Sequence, residues 1–260
     1  MRLADDLADI LETERFGRSV RSSAACPSTN AEAAAWARAG APEGALVLTD
    51  HQTAGRGRLG RTWDDAPGQN LLLSVVLRPA LPPTQLGLVT LAGGLAVADA
   101  VAPWTAPVEP RIKWPNDVLL SGRKCCGMLL ESSLGPAPFV VLGIGLNVNQ
   151  DAFPDSIADR ATSLRLEAGR LVPREAVLAR LLARLEYWTD RLARGDAPAV
   201  RQAFVERMIG RGEPARLHVA VDGEPLEGIV DGIDPTGALR LRTADGLRVV
   251  HAGDVTFRTK

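Results

Sequence analysis

The chain has 260 residues, 46% of them hydrophobic, which is enough for one large domain with a packed core and room for a small second one. Its 30 basic and 31 acidic residues give a formal net charge of −1, a balance that excludes wholesale binding to nucleic acid or an anionic membrane, so any basic site is local. Cys26, Cys125 and Cys126 form neither a CxxC pair nor a metal-ligand spacing, and an odd count with two adjacent thiols argues against a secreted disulfide framework, so a reducing, cytoplasmic compartment fits.

The N-terminus is acidic and lacks the apolar core and cleavage site of a signal peptide. Residues 1–19 hold one short helix and are too few for a helix-turn-helix domain. Thr29 and Glu32 have the T-x-x-E spacing of a capping box, which predicts a helix running to Arg38 and stopped at Gly40. Residues 45–50 read as a strand, 51–61 as a loop rich in glycine and arginine, and 70–77 as a buried strand. The apolar run 86–102, with Asp99 near its end, is marginally short for a membrane span and reads as a core helix. Residues 109–113 read as a strand, with Pro115 holding Trp114 extended. Segments 118–120 and 124–132 flank Ser121-Gly122 as a hairpin, and 139–147 form another strand. In 174–194, Val177, Leu178, Leu181, Leu182, Leu185 and Trp188 share one helical face, and a second helix covers 200–208. Short strands follow at 215–221, 226–233, 238–243 and 247–251, with turns at Asp222-Gly223, Pro235-Thr236-Gly237 and Asp245-Gly246, which suggest a small barrel. The division falls between residues 1–211 and 212–260.

Four segments carry candidate chemistry. Gly55-Arg56-Gly57-Arg58-Leu59-Gly60 matches the dinucleotide fingerprint in letters, but Trp63-Asp64-Asp65-Ala66-Pro67-Gly68 follows where that fold needs a helix to open. The arginines read either as a solvated basic loop or as paired donors for a carboxylate and a phosphate, with glycines letting the backbone approach. Lys113-Trp114-Pro115-Asn116-Asp117 reads either as a plain turn or as groups suited to ribose, phosphate or hydrated magnesium. Lys124, in Arg123-Lys124-Cys125-Cys126-Gly127, either marks a solvated strand end or neutralises phosphate charge, while the two cysteines read as small core residues. Gly143-Ile144-Gly145-Leu146-Asn147-Val148-Asn149 is a strand whose glycines permit close approach of a ligand or of backbone, and Asn147 reads either as a strand-ending turn or as a partner for a base or phosphate.

In content, order and spacing, Ser28-Thr29-Asn30, Gln52 through Gly60, Lys113 to Asp117, Arg123-Lys124 with Gly127, and Gly143 to Asn147 resemble the biotin protein ligase family. The resemblance runs from about Ser28 to Lys260. It implies an α+β catalytic domain, a mixed sheet flanked by helices, followed by a small SH3-like β-barrel. It also implies that Ser28, Thr29, Asn30, Gln52 and Gly55 belong to the biotin site, with Ser28, Thr29 and Gln52 matching the ureido head. Arg56, Gly57 and Arg58 would form a loop over biotin and nucleotide, and Gly127 would meet biotin through its backbone. Lys124 would reach the biotin carboxylate and the α-phosphate, acting catalytically with Arg58. Trp63, Lys113, Asn116, Asp117 and Asn147 would serve ATP, with Trp63 stacking near adenine.

The activity so implied uses ATP, biotin and Mg2+, and modifies a lysine on the biotin carboxyl carrier domain of acetyl-CoA carboxylase or a related enzyme. No nucleic-acid or membrane partner is expected, and a weak homodimer is compatible with the resemblance. Cys125-Cys126 departs from the family's usual aliphatic-Ala pair, a change of packing only. Lipoate ligation on a related fold is the nearest rival, and the run from Gln52 to Gly60 favours biotin. A non-catalytic nucleic-acid-binding protein is disfavoured by the balanced charge and the single tyrosine.

Overall fold

A computed structural model describes residues 7–219 and 224–257. The first part of the chain runs α1 (Leu7–Ile10), β1 (Val20–Ser23), α2 (Thr29–Arg38), β2 (Leu46–Thr49), β3 (Leu71–Leu77), α3 (Gly87–Thr105), β4 (Arg111–Lys113), β5 (Asp117–Leu120), β6 (Arg123–Ser133) and β7 (Phe139–Leu146). Helices α4 (Leu164–Ala168), α5 (Arg174–Ala193) and α6 (Ala197–Arg207) follow. Last come β8 (Pro214–His218), β9 (Leu226–Ile233), β10 (Leu239–Thr243), β11 (Gly246–Val250) and β12 (Asp254–Phe257).

The first seven strands form one sheet in the order β1-β2-β3-β7-β6-β5-β4. Only the β1–β2 pair is parallel, so the sheet is mixed, as the family resemblance implies. Alternation along β3 assigns its two faces. Leu71, Leu73, Val75 and Leu77 join the main core with α3, whereas Val76 packs with Ala33 and Ala37 of α2. Ser74 therefore faces the α2 side. Between β5 and β6, Ser121 (φ 49°) and Gly122 (φ 77°) both occupy the left-handed region, the geometry of a two-residue hairpin turn that keeps the strand twist.

Helix α3 is long and apolar enough to cross a membrane by length and composition, yet it is buried along most of its length between the sheet and α5. Its one acid is neutralised from neighbouring helices. Asp99 accepts from Arg184 and from Trp188 Nε1 at 2.8 Å each, and Arg207 lies 2.9 Å away. The buried stripe of α5 contains the six residues that the spacing selected.

Two expectations need correction. The helix at Thr29 has no capping box: Ser28 is the extended N-cap residue and makes no side-chain cap bond. The Thr29 hydroxyl is engaged by Ser74 and Gln52 instead, so tertiary partners displaced the local cap. The C-terminal strands form an open antiparallel sheet, β11-β10-β9-β8-β12, and among the described residues no ladder joins β11 to β12 to close a barrel. The sequence reading also missed β12, and the expected Asp222-Gly223 turn lies outside the described residues. The two sheets touch where Trp114 Nε1 donates to Gly237 O at 3.0 Å, in a turn that Asp234 Oδ1 holds by accepting from Thr236 N and Ala238 N.

Candidate functional site

A trough runs across the α2 face of the large sheet because three glycines remove side chains there. Gly127 of β6 pairs with Gly145 of β7, and Gly143 follows on the same face. A Cβ on Gly143 would lie 2.2 Å from Asn30 Oδ1, and one on Gly145 would lie 2.5 Å from the Trp63 ring. A Cβ on Gly127 would lie 2.8 Å from both Trp63 and Lys124 Nζ. The trough encloses about 60 Å3. Small-molecule sites enclose roughly 300–1,000 Å3. The Trp63 indole accounts for the shortfall: it rests on Gly127 and Gly145, and its Nε1 is buried without a partner.

One end of the trough is the start of α2. Ser28, Thr29 and Asn30 are all buried there. Thr29 N donates to Gln52 Oε1 at 2.9 Å, which points the Gln52 amide nitrogen away from that bond. Gly55 sits beside Gln52, its place for a Cβ 3.3 Å from Gln52 Nε2. Asn30 Nδ2 donates to Glu131 Oε2 at 2.7 Å, and Arg56 Nη2 reaches the same carboxylate at 3.1 Å. Arg56 and Gly57 line the outer wall. The glycine-arginine loop opens no helix: Arg58–Gly60 is a single tight turn, with Leu59 at φ 56°.

The other end is cationic. Lys124 Nζ lies 2.7 Å from Asp117 Oδ1 and 5.5 Å from the centre of the Trp63 ring. Arg58 Nη1 donates to Asn116 Oδ1 at 2.9 Å and to Gly253 O at 3.2 Å. Burial lowers the pKa of Arg58 from its usual value, against opposing pulls from Asp117 and Asp254. Asn116 is itself pinned, donating to Met128 O at 2.8 Å. Asp254 of β12 accepts from Lys113 Nζ at 3.2 Å and pairs with Arg61 at 2.7 Å. Burial pushes the Asp254 pKa up, but Lys113 and Arg61 outweigh it and hold the carboxyl below its usual value. The C-terminal sheet thus grips the arginine loop at both Gly253 and Asp254.

Of the residues selected from sequence, Ser28, Thr29, Asn30, Gln52, Arg56, Gly57, Arg58, Trp63, Asn116, Lys124 and Gly127 line the trough together. Gly55, Lys113, Asp117 and Asn147 are not part of that lining, although Asp117 pairs with Lys124 at its edge. Asn147 is buried at the end of β7, where its Nδ2 donates to Thr162 O at 3.1 Å and its Oδ1 has no partner. Cys125 and Cys126 are buried core residues whose thiols are pushed up by burial, which suits packing rather than chemistry. Among the described residues, no three His, Cys, Asp or Glu side chains cluster as a metal cage. Sequence reasoning missed Ser74 and Glu131, although Ser74 is the one polar residue in an otherwise apolar strand.

Comparison with known proteins follows the same division of the chain. Residues 23–149 match the biotin/lipoate A/B protein ligase family, and residues 216–258 match the biotin protein ligase C terminal domain. The biotin--[acetyl-CoA-carboxylase] ligase of Mycobacterium tuberculosis is 41% identical over 237 residues, covering 88% of this chain and 85% of its own. The enzyme of that name from Paracoccus denitrificans is 40% identical, covering 88% of this chain and 97% of its own. Biotin protein ligase from Aquifex aeolicus, solved in complex with biotin and ATP, superposes with a TM-score of 0.80 at 28% identity, covering 94% of this chain and 100% of its own.

Proposed function

The chain belongs to the biotin protein ligase family, and from that premise we propose that it activates biotin with ATP and transfers it to a lysine of a biotin carrier protein. The observation that carries this reading is the trough itself. It has a polar head where buried Ser28 and Thr29 meet half-buried Gln52, an apolar floor cleared by glycines, and cations at the far end. That order of environments suits an elongated molecule with a polar ring, an aliphatic chain and a carboxylate. Lipoate offers no polar ring to the buried head, and the C-terminal match is to a biotin ligase domain.

In the first step, a biotin carboxylate oxygen attacks the α-phosphorus of ATP, the bond to the bridging oxygen breaks and pyrophosphate leaves. Two anions must approach each other, and Lys124 and Arg58 offset their repulsion. Lys124 must exchange its pairing with Asp117 for the incoming oxygens. The Arg56 guanidinium, now shared with Glu131, is placed to hold the carboxylate side of the ligand. Asn147 Oδ1, buried without a partner just outside the trough, would become an acceptor for the adenine amino group once the nucleotide opens the site toward it. In the second step, the carrier amine attacks the acyl carbon, AMP leaves and one proton is lost.

Mg2+ usually travels on substrate phosphates with one or two protein carboxylates, and Asp117 beside Asn116 fits that need without an all-protein cage. When bound there, the ion would offset phosphate charge. We assign residues 1–211 to the catalytic unit and 212–260 to a unit that braces the arginine loop. Acetyl-CoA carboxylase is the carrier enzyme the named relatives point to. Three buried free cysteines support a cytoplasmic setting. Biotin-dependent exchange of labelled pyrophosphate into ATP tests the first step. Its absence, with lipoate-dependent exchange in its place, would overturn the assignment.

The occupied trough yields a spectroscopic prediction. Any ligand lying on Gly127 and Gly145 must displace the Trp63 indole. Saturating biotin and ATP should therefore change the tryptophan emission, and Trp63→Phe should abolish most of that change although four other tryptophans remain. An identical titration curve in the variant would show that Trp63 stays where it is.

A further inference from the structure

Ser74 sits at the middle of β3, fully buried beneath the head of the trough, and no step above uses it. Its Oγ lies 2.6 Å from Asn30 Oδ1 and 2.8 Å from Thr29 Oγ1. A serine hydroxyl carries one proton, so it can donate to only one of them. The orientation of Asn30 is settled independently. Its Nδ2 faces Glu131 Oε2 at 2.7 Å and Leu129 O at 3.3 Å, both acceptors, so the atom facing Ser74 is the amide oxygen.

That oxygen cannot donate, and the Ser74 proton must therefore go to Asn30. The 2.8 Å contact with Thr29 then requires the proton of the Thr29 hydroxyl. Were Ser74 to donate to Thr29, a bare oxygen pair would remain at 2.6 Å. Were Thr29 to donate to Gln52 Oε1, 3.2 Å away, a bare pair would remain at 2.8 Å. Gln52 Oε1 already accepts from the Thr29 backbone at 2.9 Å and has no need of that hydroxyl.

We propose that Ser74 is a positioning residue that fixes the Thr29 hydroxyl as an acceptor and so selects ligands whose ring presents an N–H. An unconstrained threonine hydroxyl rotates to donate or accept as the ligand requires. Ser74 removes that choice by consuming the proton. Gln52 is the complement: its oxygen is turned toward the Thr29 backbone N–H, which turns its amide nitrogen the other way as the donor end for a ring carbonyl. An N–H beside a carbonyl is the pattern of a cyclic urea, and a ring lacking an N–H gives Thr29 nothing to accept. This inference rests on the reading of the trough as a biotin site.

The probes are biotin and its two cyclic carbamate analogues, each with one ring N–H replaced by oxygen. Against the native enzyme, the analogue that sets its ring oxygen against Thr29 should bind about tenfold or more weakly than biotin, because two acceptors then face each other in a buried site. In Ser74→Ala the Thr29 proton is released. The KM for biotin should rise with kcat little changed, and the penalty for that carbamate should shrink to about twofold or less. Equal weakening of biotin and both carbamates in the variant would reduce Ser74 to a packing role and overturn the inference. So would a native enzyme that accepts both carbamates as well as biotin, a comparison that stands even if Ser74→Ala does not fold. Failure of the native enzyme to bind biotin at all would instead remove the functional reading beneath it.

Discussion

Lys124→Ala should lower biotin-dependent pyrophosphate release by about a hundredfold or more, the range found when a donor aimed at developing charge is removed from a dry site. The structure places the Lys124 ammonium on the rim of the trough, paired with Asp117 and over the Trp63 ring, while its backbone bonds to Arg160 O and Thr162 N are ones an alanine keeps. Its side chain is 35% exposed, so truncation opens no core cavity. Asp117 loses its ion pair in the variant but keeps the positive field of Arg58. Folding should therefore survive, and a thermal melt beside the assay checks that it does. A folded variant with near-native adenylation would remove Lys124 from the first step.

Arg58→Gly should retain adenylation in part but lose control of its product. Arg58 fastens the loop in two places, to Asn116 beside the large sheet and to Gly253 just before β12 of the small one. Replacing it with glycine cuts both bonds and adds backbone freedom next to Gly57, so ordering the loop over a ligand costs more. A loop that opens sooner admits water and lets the reactive mixed anhydride leave. Free anhydride acylates any accessible lysine. At matched rates of adenylate formation, the variant should biotinylate albumin at least about tenfold more than the native enzyme, since each lost charge-assisted bond is worth roughly 1.5–3 kcal/mol. Equal and negligible labelling of albumin on a streptavidin blot would show that Arg58 is not the gate.

These expectations rest on features that differ in how openly the sequence displays them. The stripe of α5 and the apolar runs of α3, β3 and β7 were legible because burial on one face, or on all, imposes a period or a length. β1 was not, because Val20-Arg21-Ser22-Ser23 is a mostly exposed edge strand that alternates too weakly to read. β12 is four residues long and half polar, with Asp254 serving the loop rather than a core. The capping box failed because Thr29 spends its hydroxyl on Ser74, a partner 45 residues away that no local pattern reveals.

The site shows the same division. Lys124, Arg58 and the glycines announced themselves by residue type and spacing. What the spacing did not convey is how they are held. Lys113 turned out to reach Asp254 across 141 residues, and Arg56 to share Glu131 with Asn30. Such contacts depend on strand order, and β6 and β7 lie side by side while β3 flanks β7 only after a long excursion through α3. Ser74 and Glu131 were overlooked for that reason. Ser74 is the one polar residue of β3 and Glu131 opens the polar end of β6, and their partners become visible only when α2 is laid over the sheet.

The central claim is an acyl transfer, and the mass of the product reports it directly. A biotin carrier domain incubated with the protein, ATP and biotin should gain the mass of one biotinyl group less water, on a single lysine, and only when all three are present. An unmodified carrier domain, or one carrying a lipoyl group when lipoate competes with biotin in the same mixture, would contradict the account.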